Sequence, residues 1–357
     1  MNLIDKREEV KINTIRFVNR LNADIYILGT NRYGVTMSKW LREKQKNVVG
    51  YINDFVDYEY FEGLPVFKTT HNFTKSIIIN CIVEGRTIDA ENTIEKVNPI
   101  ASIDYFALQS TFSNELEPVS FLNNTDDILT DIESYEFLFE RLSDDLSKKH
   151  FENIINFRLN RDIKFLKEFE FKIKEQYFEA FLFLKENPSF IDGGGFDGQT
   201  SKIFAEKYPD YNKIYFFEPF VNSFELSKKT LKDFKQVEMF QKGLWHKKDT
   251  LSFDGSLGSA NTISNKGSDK IEVVAIDDII KEKIDFLKLD IEGSEYNALI
   301  GAKKMICNYR PKIAVCVYHL QKDFIRIPQL LLDYHKDYKI YLRHYTQGVF
   351  ETVMYFI

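Results

Sequence analysis

A glycine-rich corner at residues 189–200 restricts the fold of this chain more than any other stretch. It reads Ser-Phe-Ile-Asp-Gly-Gly-Gly-Phe-Asp-Gly-Gln-Thr, so a short apolar run ends at Asp192 and four glycines follow between positions 193 and 198. A helical pattern begins near Gln199. Because glycine has no Cβ and tolerates positive φ, such a loop lets a ligand approach the main chain closely. The stretch therefore predicts a strand, a loop and a helix at the ligand-binding edge of an α/β sheet.

Two adenosine cofactors suit this corner, and Asp192 distinguishes between them. Gly193-x-Gly195-x-x-Gly198 has the spacing of a dinucleotide fingerprint. A dinucleotide, however, would bring its pyrophosphate against the like charge of Asp192. S-adenosylmethionine (SAM) brings a methionine ammonium, which a carboxylate attracts. The charge favours SAM, and an NAD(P)-dependent oxidoreductase is the alternative.

The next β-rich run, residues 213–217, ends in Glu218-Pro219. An acid that ends the second strand, about 20 residues after the glycine loop, is placed to accept both hydroxyls of a ribose. NAD and SAM share that ribose. Glu218 therefore supports an adenosine ligand without choosing between the two, and a solvated acid at a strand end is the alternative.

With these residues, the chain resembles the FkbM-type SAM-dependent methyltransferases over roughly residues 125–357, in a bacterial branch with an extra N-terminal Rossmann-like domain. The segments that carry the resemblance are Phe217-Glu218-Pro219, Leu251-Ser252-Phe253, Gly258-Ser259-Ala260-Asn261-Thr262, residues 285–295, Tyr318-His319 ahead of Asp323, residues 341–345, and Glu351-Thr352-Val353. Residues 285–295 are the most family-specific. One departure is that Gly195-Phe196 replaces the Ala-Asn of the D-x-G-A-N pattern that many members have.

The resemblance implies an α/β fold with a C-terminal class I (Rossmann-like) methyltransferase sheet that ends in an antiparallel hairpin. A helical segment and a smaller N-terminal α/β Rossmann-like domain precede it, and βαβ alternation predicts a parallel sheet there. We expect residues 1–115 to serve recognition or oligomerisation, residues 116–170 to form a linker and helical cover, and residues 171–357 to form the methyltransferase domain. Gly29 and Gly34 give a weak indication of a phosphate-binding site. The alternative is that they only shape the turn and the packing of the helix.

Ligands of open α/β sheets bind beyond the carboxyl ends of the strands. The predicted cofactor-binding residues are Asp192, Gly193, Gly194, Gly198, Thr200, Glu218, Pro219, Gly243 and Asp290. The predicted catalytic residues are His319 and Asp290, and the predicted substrate-binding residues are Glu292, Tyr318, Arg343 and His344.

His319 is the favoured general base, because imidazole titrates near neutral pH and the residue follows an apolar strand. A hydrogen-bonded structural histidine is the alternative. Asp290, Glu292 and His319 also suit a divalent cation, although a metal is not expected.

The composition and the net charge of the chain limit the kinds of molecule and compartment that suit it. A net charge of −6 and a pI near 5.7 argue against a nucleic-acid binder. Cys81, Cys307 and Cys316 lack metal or redox spacing and are expected to be buried free thiols. No apolar run is long enough to span a membrane and the first residues are no signal peptide, so we expect a soluble, cytoplasmic protein.

Members of the resembled family methylate oxygen, commonly on sugars, polyketides or other natural products. We therefore expect a SAM-dependent O-methyltransferase that acts on a hydroxyl of a sugar or nucleotide-activated sugar in bacterial surface-polysaccharide biosynthesis, such as capsule formation. The N-terminal domain would recognise the acceptor or form a homodimer. A non-catalytic SAM-fold interaction module is the remaining alternative.

Overall fold

The computed structural model describes residues 1–122, 127–253 and 269–357. The chain divides into two compact units. Unit 1 consists of Met1–Ile132, Lys149–Ile173 and His344–Phe350, and unit 2 of Glu133–Lys148, Lys174–Arg343 and Glu351–Ile357. Residues 258–262, which carry part of the family resemblance, and residues 123–126 of the expected boundary lie outside the described residues.

Unit 1 is built on a six-stranded sheet in the order β3-β4-β2-β1-β5-β6. Its strands are β1 Asp24–Leu28, β2 Val48–Ile52, β3 Tyr60–Phe61, β4 Leu64–Phe67, β5 Ser76–Asn80 and β6 Ala101–Asp104, and its helices include α1 Arg7–Asn19, α2 Arg32–Glu43, α3 Thr87–Val97, α4 Tyr105–Thr111 and α5 Asp127–Thr130. All its pairings are parallel except β3 with β4. The predicted N-terminal Rossmann-like sheet is confirmed.

The turn between β1 and α2 explains two glycines. Asn31 Oδ1 accepts the Gly34 N–H at 3.0 Å and caps α2. A Cβ on Gly34 would lie 2.3 Å from the carbonyl oxygen of Gly29, and Gly29 itself has φ +116°. These glycines are required by the turn and by the close approach of the helix, which supports the packing alternative over a phosphate site.

The helical cover expected within residues 116–170 contains two longer helices, α6 Ile132–Arg141 and α7 Asp145–Asn160, followed by 3₁₀ turns at Ile163–Leu166 and Ile173–Glu175. A new helix starts because Asp144 Oδ1 accepts the Ser147 N–H at 2.7 Å and so satisfies a free donor of its first turn. Residues 133–148 belong to unit 2 and residues 149–173 to unit 1. The expected helical cover is therefore divided between the units.

Unit 2 contains a seven-stranded sheet in the order β15-β16-β14-β13-β7-β8-β9. Its strands are β7 Ser189–Gly193, β8 Lys213–Phe217, β9 Val237–Phe240, β13 Phe286–Leu289, β14 Lys312–Cys316, β15 Ile340–His344 and β16 Thr352–Phe356. The central strands are parallel, and β16 runs antiparallel to β14. This is the class I methyltransferase architecture that the resemblance implied. Strands β7 and β13 are buried along their whole length, as expected of a sheet covered on both faces.

The helices of this unit are α8 Gln199–Lys207, α9 Val221–Leu231, α10 Ile276–Ile279, α11 Glu295–Ile300, α12 Lys303–Tyr309 and α13 Asp323–Tyr334. A side sheet contains β10 Gly243–Leu244, β11 Asp249–Phe253 and β12 Asp269–Val274. Strands β11 and β12 pair antiparallel.

The structure also bears on the expectations for the cysteines and for membrane-spanning helices. Cys81 and Cys316 are buried free thiols, but Cys307 is exposed, because its position on α12 faces outward. Among the described residues, no helix combines the length and the apolar character that crossing a membrane requires.

Candidate active site

The glycine loop after β7 is held against the protein itself. A Cβ on Gly194 would lie 1.8 Å from the carbonyl oxygen of Asp290, and a Cβ on Gly195 would lie 2.0 Å from the ring of Phe216. The N–H groups of Gly194 and Gly195 both donate to the carbonyl of Phe217, at 2.9 and 3.0 Å. Glycine is therefore required here for the close approach of two neighbouring strands.

Three further N–H donors of this loop are also occupied. The Gly198 N–H donates to the Gly195 carbonyl at 2.8 Å, the Phe196 N–H to Glu218 Oε2 at 3.0 Å, and the Gln199 N–H to Asp197 Oδ1 at 3.1 Å. Dinucleotide sites use free loop N–H groups to bind the pyrophosphate. Since these donors already have acceptors within the protein, the loop does not suit that use.

Asp192 is enclosed within the protein. Its side chain has no exposed area; Lys288 Nζ lies 3.1 Å from Oδ1, and Ser201 Oγ donates to Oδ2 at 2.7 Å. Burial lowers the pKa of Lys288, but Asp192 and Asp290 outweigh that effect and raise the pKa above its ordinary value. The Asp192 carboxylate is thus neutralised by a buried ammonium of the protein, which weakens the electrostatic argument for direct attraction of a ligand ammonium, and the cofactor-binding role of Asp192 stays a prediction.

Glu218 ends β8 beside the glycine loop and is only 4% exposed. Its Oε2 accepts the Phe196 N–H at 3.0 Å and its Oε1 accepts the Phe220 N–H at 2.9 Å. Burial raises the pKa of this carboxyl above its ordinary value. The two backbone bonds fix the orientation of the carboxylate, and each oxygen retains a lone pair that can accept a hydroxyl.

Asp290 follows β13 next to that loop, since its N–H donates to the Gly193 carbonyl at 3.1 Å. Tyr177 Oη donates to Asp290 Oδ2 at 2.9 Å, and Tyr318 Oη lies 3.5 Å from Oδ1. Tyr177 has a positive φ of 69°, which is costly for an aromatic residue. About a quarter of the Asp290 side chain is exposed, so a rigid, accessible carboxylate stands at the edge of the sheet.

His319 is almost completely enclosed, with 1% of its side chain exposed. Its Nδ1 lies 3.0 Å from Glu295 Oε1, and its Nε2 lies 3.5 Å from Asp290 Oδ1 and from Glu292 Oε2. Burial lowers the pKa of His319, but the three carboxylates outweigh it and raise the pKa to about 10. Enclosure and a raised pKa make this imidazole a less suitable proton acceptor, and the general-base role of His319 stays a prediction.

Further acids complete this cluster. Burial raises the pKa of Glu292 to about 8 and that of Glu351 to about 7. Gln176 donates a hydrogen bond to Glu351. The sequence prediction missed Glu295 as the partner of His319, although its position in the family-specific string 285–295 was a usable signal. It also missed Lys288, whose charge inside the apolar run 286–289 marked a buried lysine.

Two predicted substrate-binding residues lie elsewhere. Arg343 is 7% exposed; its guanidinium donates to both oxygens of Asp144, at 3.1 and 2.6 Å, and to Ser147 Oγ at 2.8 Å. His344 belongs to unit 1, where it packs on Phe169 with 4.5 Å between ring centroids. Both are better described as core residues than as substrate ligands.

The structure says less about the roles of the other residues that were predicted to bind cofactor or substrate. Thr200 is half-buried in the first turn of α8, Pro219 is half-buried after Glu218, and Gly243 is buried in β10 of the side sheet. Tyr318 is buried, with its ring centroid 4.0 Å from that of His319. The structure thus brings together Asp192, Gly194, Glu218, Asp290, Glu292, Tyr318 and His319 around the carboxyl ends of β7, β8, β13 and β14.

We predict that Arg343→Met lowers the free energy of unfolding by about 1–3 kcal/mol, because it removes the charged hydrogen bonds that a nearly buried arginine makes with the half-buried Asp144. Arg310→Met is the control, since Arg310 pairs with Asp337 at an exposed site and should change stability by less than about 0.5 kcal/mol. Urea denaturation measures both. Normal stability with weakened acceptor binding in Arg343→Met would restore the substrate-binding role.

The same pair has a pH dependence. Burial raises the pKa of Asp144, but hydrogen bonds from Arg343 and Ser147 outweigh it and lower the pKa to about 2, from 3.8. A depressed pKa contributes stability that is fully present above about pH 4 and is lost as the pH falls towards 2. The Arg343→Met protein should lack this acid-sensitive contribution to stability.

Comparison with known proteins agrees with this geometry. Residues 192–346 match the family model described as Methyltransferase FkbM domain. A crystal structure of methyltransferase FkbM from Methylobacillus flagellatus KT superposes with a TM-score of 0.75 at 24% identity, covering 96% of this chain and 93% of that one. The shared fold therefore extends over both units.

Weaker likenesses support no inference. An rRNA methylase from Streptococcus thermophilus has a TM-score of 0.31 at 14% identity, covering 48% of this chain and 88% of that one. Fibrillarin from Aeropyrum pernix, solved with bound SAM, has a TM-score of 0.32 at 12% identity, covering 48% and 67%. The search of curated proteins gave no match.

The family match begins at Asp192, includes the glycine loop, Glu218, Asp290 and His319, and ends within the last hairpin. Most residues of the site thus lie inside the matched range, whereas Tyr177 and Glu351 lie outside it. Residues 192–346 of this chain therefore match the FkbM methyltransferase domain, on a fold that both units share with a solved FkbM methyltransferase.

Proposed function

We propose that this methyltransferase uses SAM to methylate a hydroxyl of a sugar or nucleotide-activated sugar, in bacterial surface-polysaccharide biosynthesis. The observation that carries the proposal is the accessible Asp290 carboxylate, fixed by Tyr177 at 2.9 Å beside the glycine loop and near the oriented acid Glu218. A methyl donor bound along that loop would meet an acceptor at Asp290.

Two observations support SAM as the methyl donor: the orientation of Glu218, and the loop N–H groups that already have acceptors. Both oxygens of Glu218 are oriented by backbone N–H groups, which suits them to accept the two hydroxyls of a ribose. The N–H groups of Gly194, Gly195 and Gly198 already have acceptors. A ligand without a pyrophosphate at the loop therefore fits better than a dinucleotide, and this supports SAM over the NAD(P) alternative.

Two partly exposed carboxylates support a hydroxyl group as the methyl acceptor. Asp290 and Glu292 have about a quarter of their side chains exposed, and carboxylate oxygens accept hydrogen bonds from hydroxyls. Asp290 would orient the reacting hydroxyl towards the methyl carbon, because in-line transfer depends on alignment. Accessible acids at this edge of the sheet favour a catalytic site over a non-catalytic interaction module. Unit 1 would recognise the acceptor or form a homodimer.

Turnover of isotopically labelled SAM with a panel of sugars and nucleotide-activated sugars tests the reaction. The expected product carries the label on oxygen, as its mass and its fragmentation will show. Label on nitrogen or carbon, or reduction of NAD(P) by the same panel, would overturn the proposal.

We predict that Glu218→Ala weakens SAM binding at least tenfold, because a charged hydrogen bond in a desolvated site contributes about 1.5–3 kcal/mol. The matched control is Glu225→Ala on α9, where Glu225 pairs with Lys228 at an exposed site. Isothermal titration with SAM and, separately, with NAD⁺ measures both affinities. Unchanged SAM affinity in a folded Glu218→Ala protein would refute the proposal that Glu218 binds the ribose.

A further inference from the structure

The glycine loop after β7 ends in a tight turn that contains a conformationally unusual residue. The Gly198 N–H donates to the Gly195 carbonyl at 2.8 Å, which closes a turn around Phe196 and Asp197. Phe196 is the first central residue of this turn and has a positive φ of 49°. Glycine, asparagine and aspartate tolerate such a position, whereas an aromatic residue is strained there. The chain therefore holds a ring where the local backbone disfavours one.

Burial does not offset this strain. In the part of the chain that the structure describes, three aromatic residues have a positive φ: Phe121, Tyr177 and Phe196. Phe121 and Tyr177 are buried, with 9% and 6% of their surface exposed, so packing helps to hold them, whereas Phe196 is 60% exposed. Strained residues cluster at active sites and in loops that bind ligands. A ligand therefore explains this ring better than the core does.

The turn places Phe196 beside Glu218, the buried acid that ends β8. The Phe196 N–H donates to Glu218 Oε2 at 3.0 Å, and the Phe220 N–H donates to Oε1 at 2.9 Å. Val221, which follows the second of these donors, is 59% exposed. Two exposed apolar side chains thus lie on the two chain segments that bind this carboxylate. A ligand that joins a diol to a flat apolar ring matches this combination, and a nucleoside has both parts.

We propose that Phe196 stacks on the adenine ring of SAM while Glu218 binds the ribose hydroxyls. The inference rests on the proposed use of SAM as methyl donor. An aromatic side chain and a nucleobase cover each other's apolar faces. Phe196 is then a cofactor-binding residue, and its exposed ring is covered only in the complex.

The same ring has one competing use. A phenyl face also attracts a cation, and SAM carries a positive sulfonium. S-adenosylhomocysteine (SAH) has the same adenosine with a neutral sulfur. A contact with adenine therefore contributes equally to the binding of SAM and SAH, whereas a contact with the sulfonium contributes to SAM alone.

The test is isothermal titration of full-length Phe196→Asn with SAM and with SAH. We expect both affinities to fall by the same factor, about 5–150-fold, as for the loss of one base–aromatic stack. The midpoint of thermal unfolding without ligand should stay within about 4 °C of the wild type, because asparagine tolerates a positive φ and the lost ring is mostly exposed. Phe196→Tyr, which keeps the ring face, should retain both affinities within about twofold.

Two variants at the opposite edge of the sheet are matched controls. Gln236→Asn changes an exposed residue with a φ of 56° just before β9. Phe183→Asn removes a ring that is 74% exposed, in a residue whose carbonyl accepts a hydrogen bond from Lys312 at the start of β14. Both should bind SAM and SAH like the wild type.

The possible outcomes separate this inference from the proposed function. Unchanged affinities in Phe196→Asn, a loss confined to SAM, or a loss accompanied by a larger fall in the unfolding midpoint would overturn the adenine contact and leave the proposed function in place. A wild-type protein that binds neither SAM nor SAH would refute both. Binding that depends on Phe196 as expected, without methylation of any sugar, would leave the contact standing and refute the proposed function alone.

Discussion

Replacing Lys288 with methionine is expected to lower the free energy of unfolding by about 3–5 kcal/mol, because it leaves the Asp192 carboxylate buried without its cation. Lys288 is 3% exposed in its side chain, and it also donates to the carbonyls of Gly193 and Gly194, at 3.2 and 2.6 Å. The loss would therefore reach the glycine loop as well. Chemical denaturation measures the change.

Lys283→Met is the matched control, since Lys283 is largely exposed where it pairs with Asp285; such pairs contribute about 0–1 kcal/mol. The double variant Asp192→Leu with Lys288→Met should recover part of the loss, because no uncompensated charge remains. If Lys288→Met were as stable as Lys283→Met, the buried pair would not have the role given to it here.

Gly194→Ala is expected to destabilise unit 2 by about 2–5 kcal/mol, which combines left-handed strain with overpacking. Gly194 has φ +72°, and a Cβ there would lie 1.8 Å from the Asp290 carbonyl oxygen. The loop must then move away from β13. SAM affinity should fall at least tenfold together with stability, as titration and thermal unfolding will show.

Gly63→Ala separates the two causes. Gly63 also has a positive φ, +74°, but a Cβ there would meet nothing within 4 Å. It should therefore incur only the strain of about 1–2 kcal/mol and leave SAM affinity unchanged. Equal stability losses in the two variants would contradict the clash between Gly194 and Asp290.

Local spacing was enough to predict the strand–loop–helix corner at residue 192, the acid at residue 218 and the sheet class. These features depend on neighbours in the chain. The pairing of Asp192 with Lys288 and of Arg343 with Asp144 joins residues far apart in sequence. Burial and charge at those positions are set by tertiary packing, so a strand-end carboxylate looked accessible when it was enclosed. The enclosure of His319 was missed for the same reason.

The division of the chain has a consequence for how it can be cut. Residues 344–350 belong to unit 1, and there Gln347 bonds with Asp89 through both its amide atoms, at 2.9 and 3.0 Å, and donates its N–H to Gly85 at 2.8 Å. The strands of the unit 1 sheet all lie between Asp24 and Asp104, but these contacts come from a segment more than 200 residues further along the chain. A fragment that stops at residue 173 would keep every strand of that sheet and lose the clasp that Gln347 makes with Asp89 and Gly85.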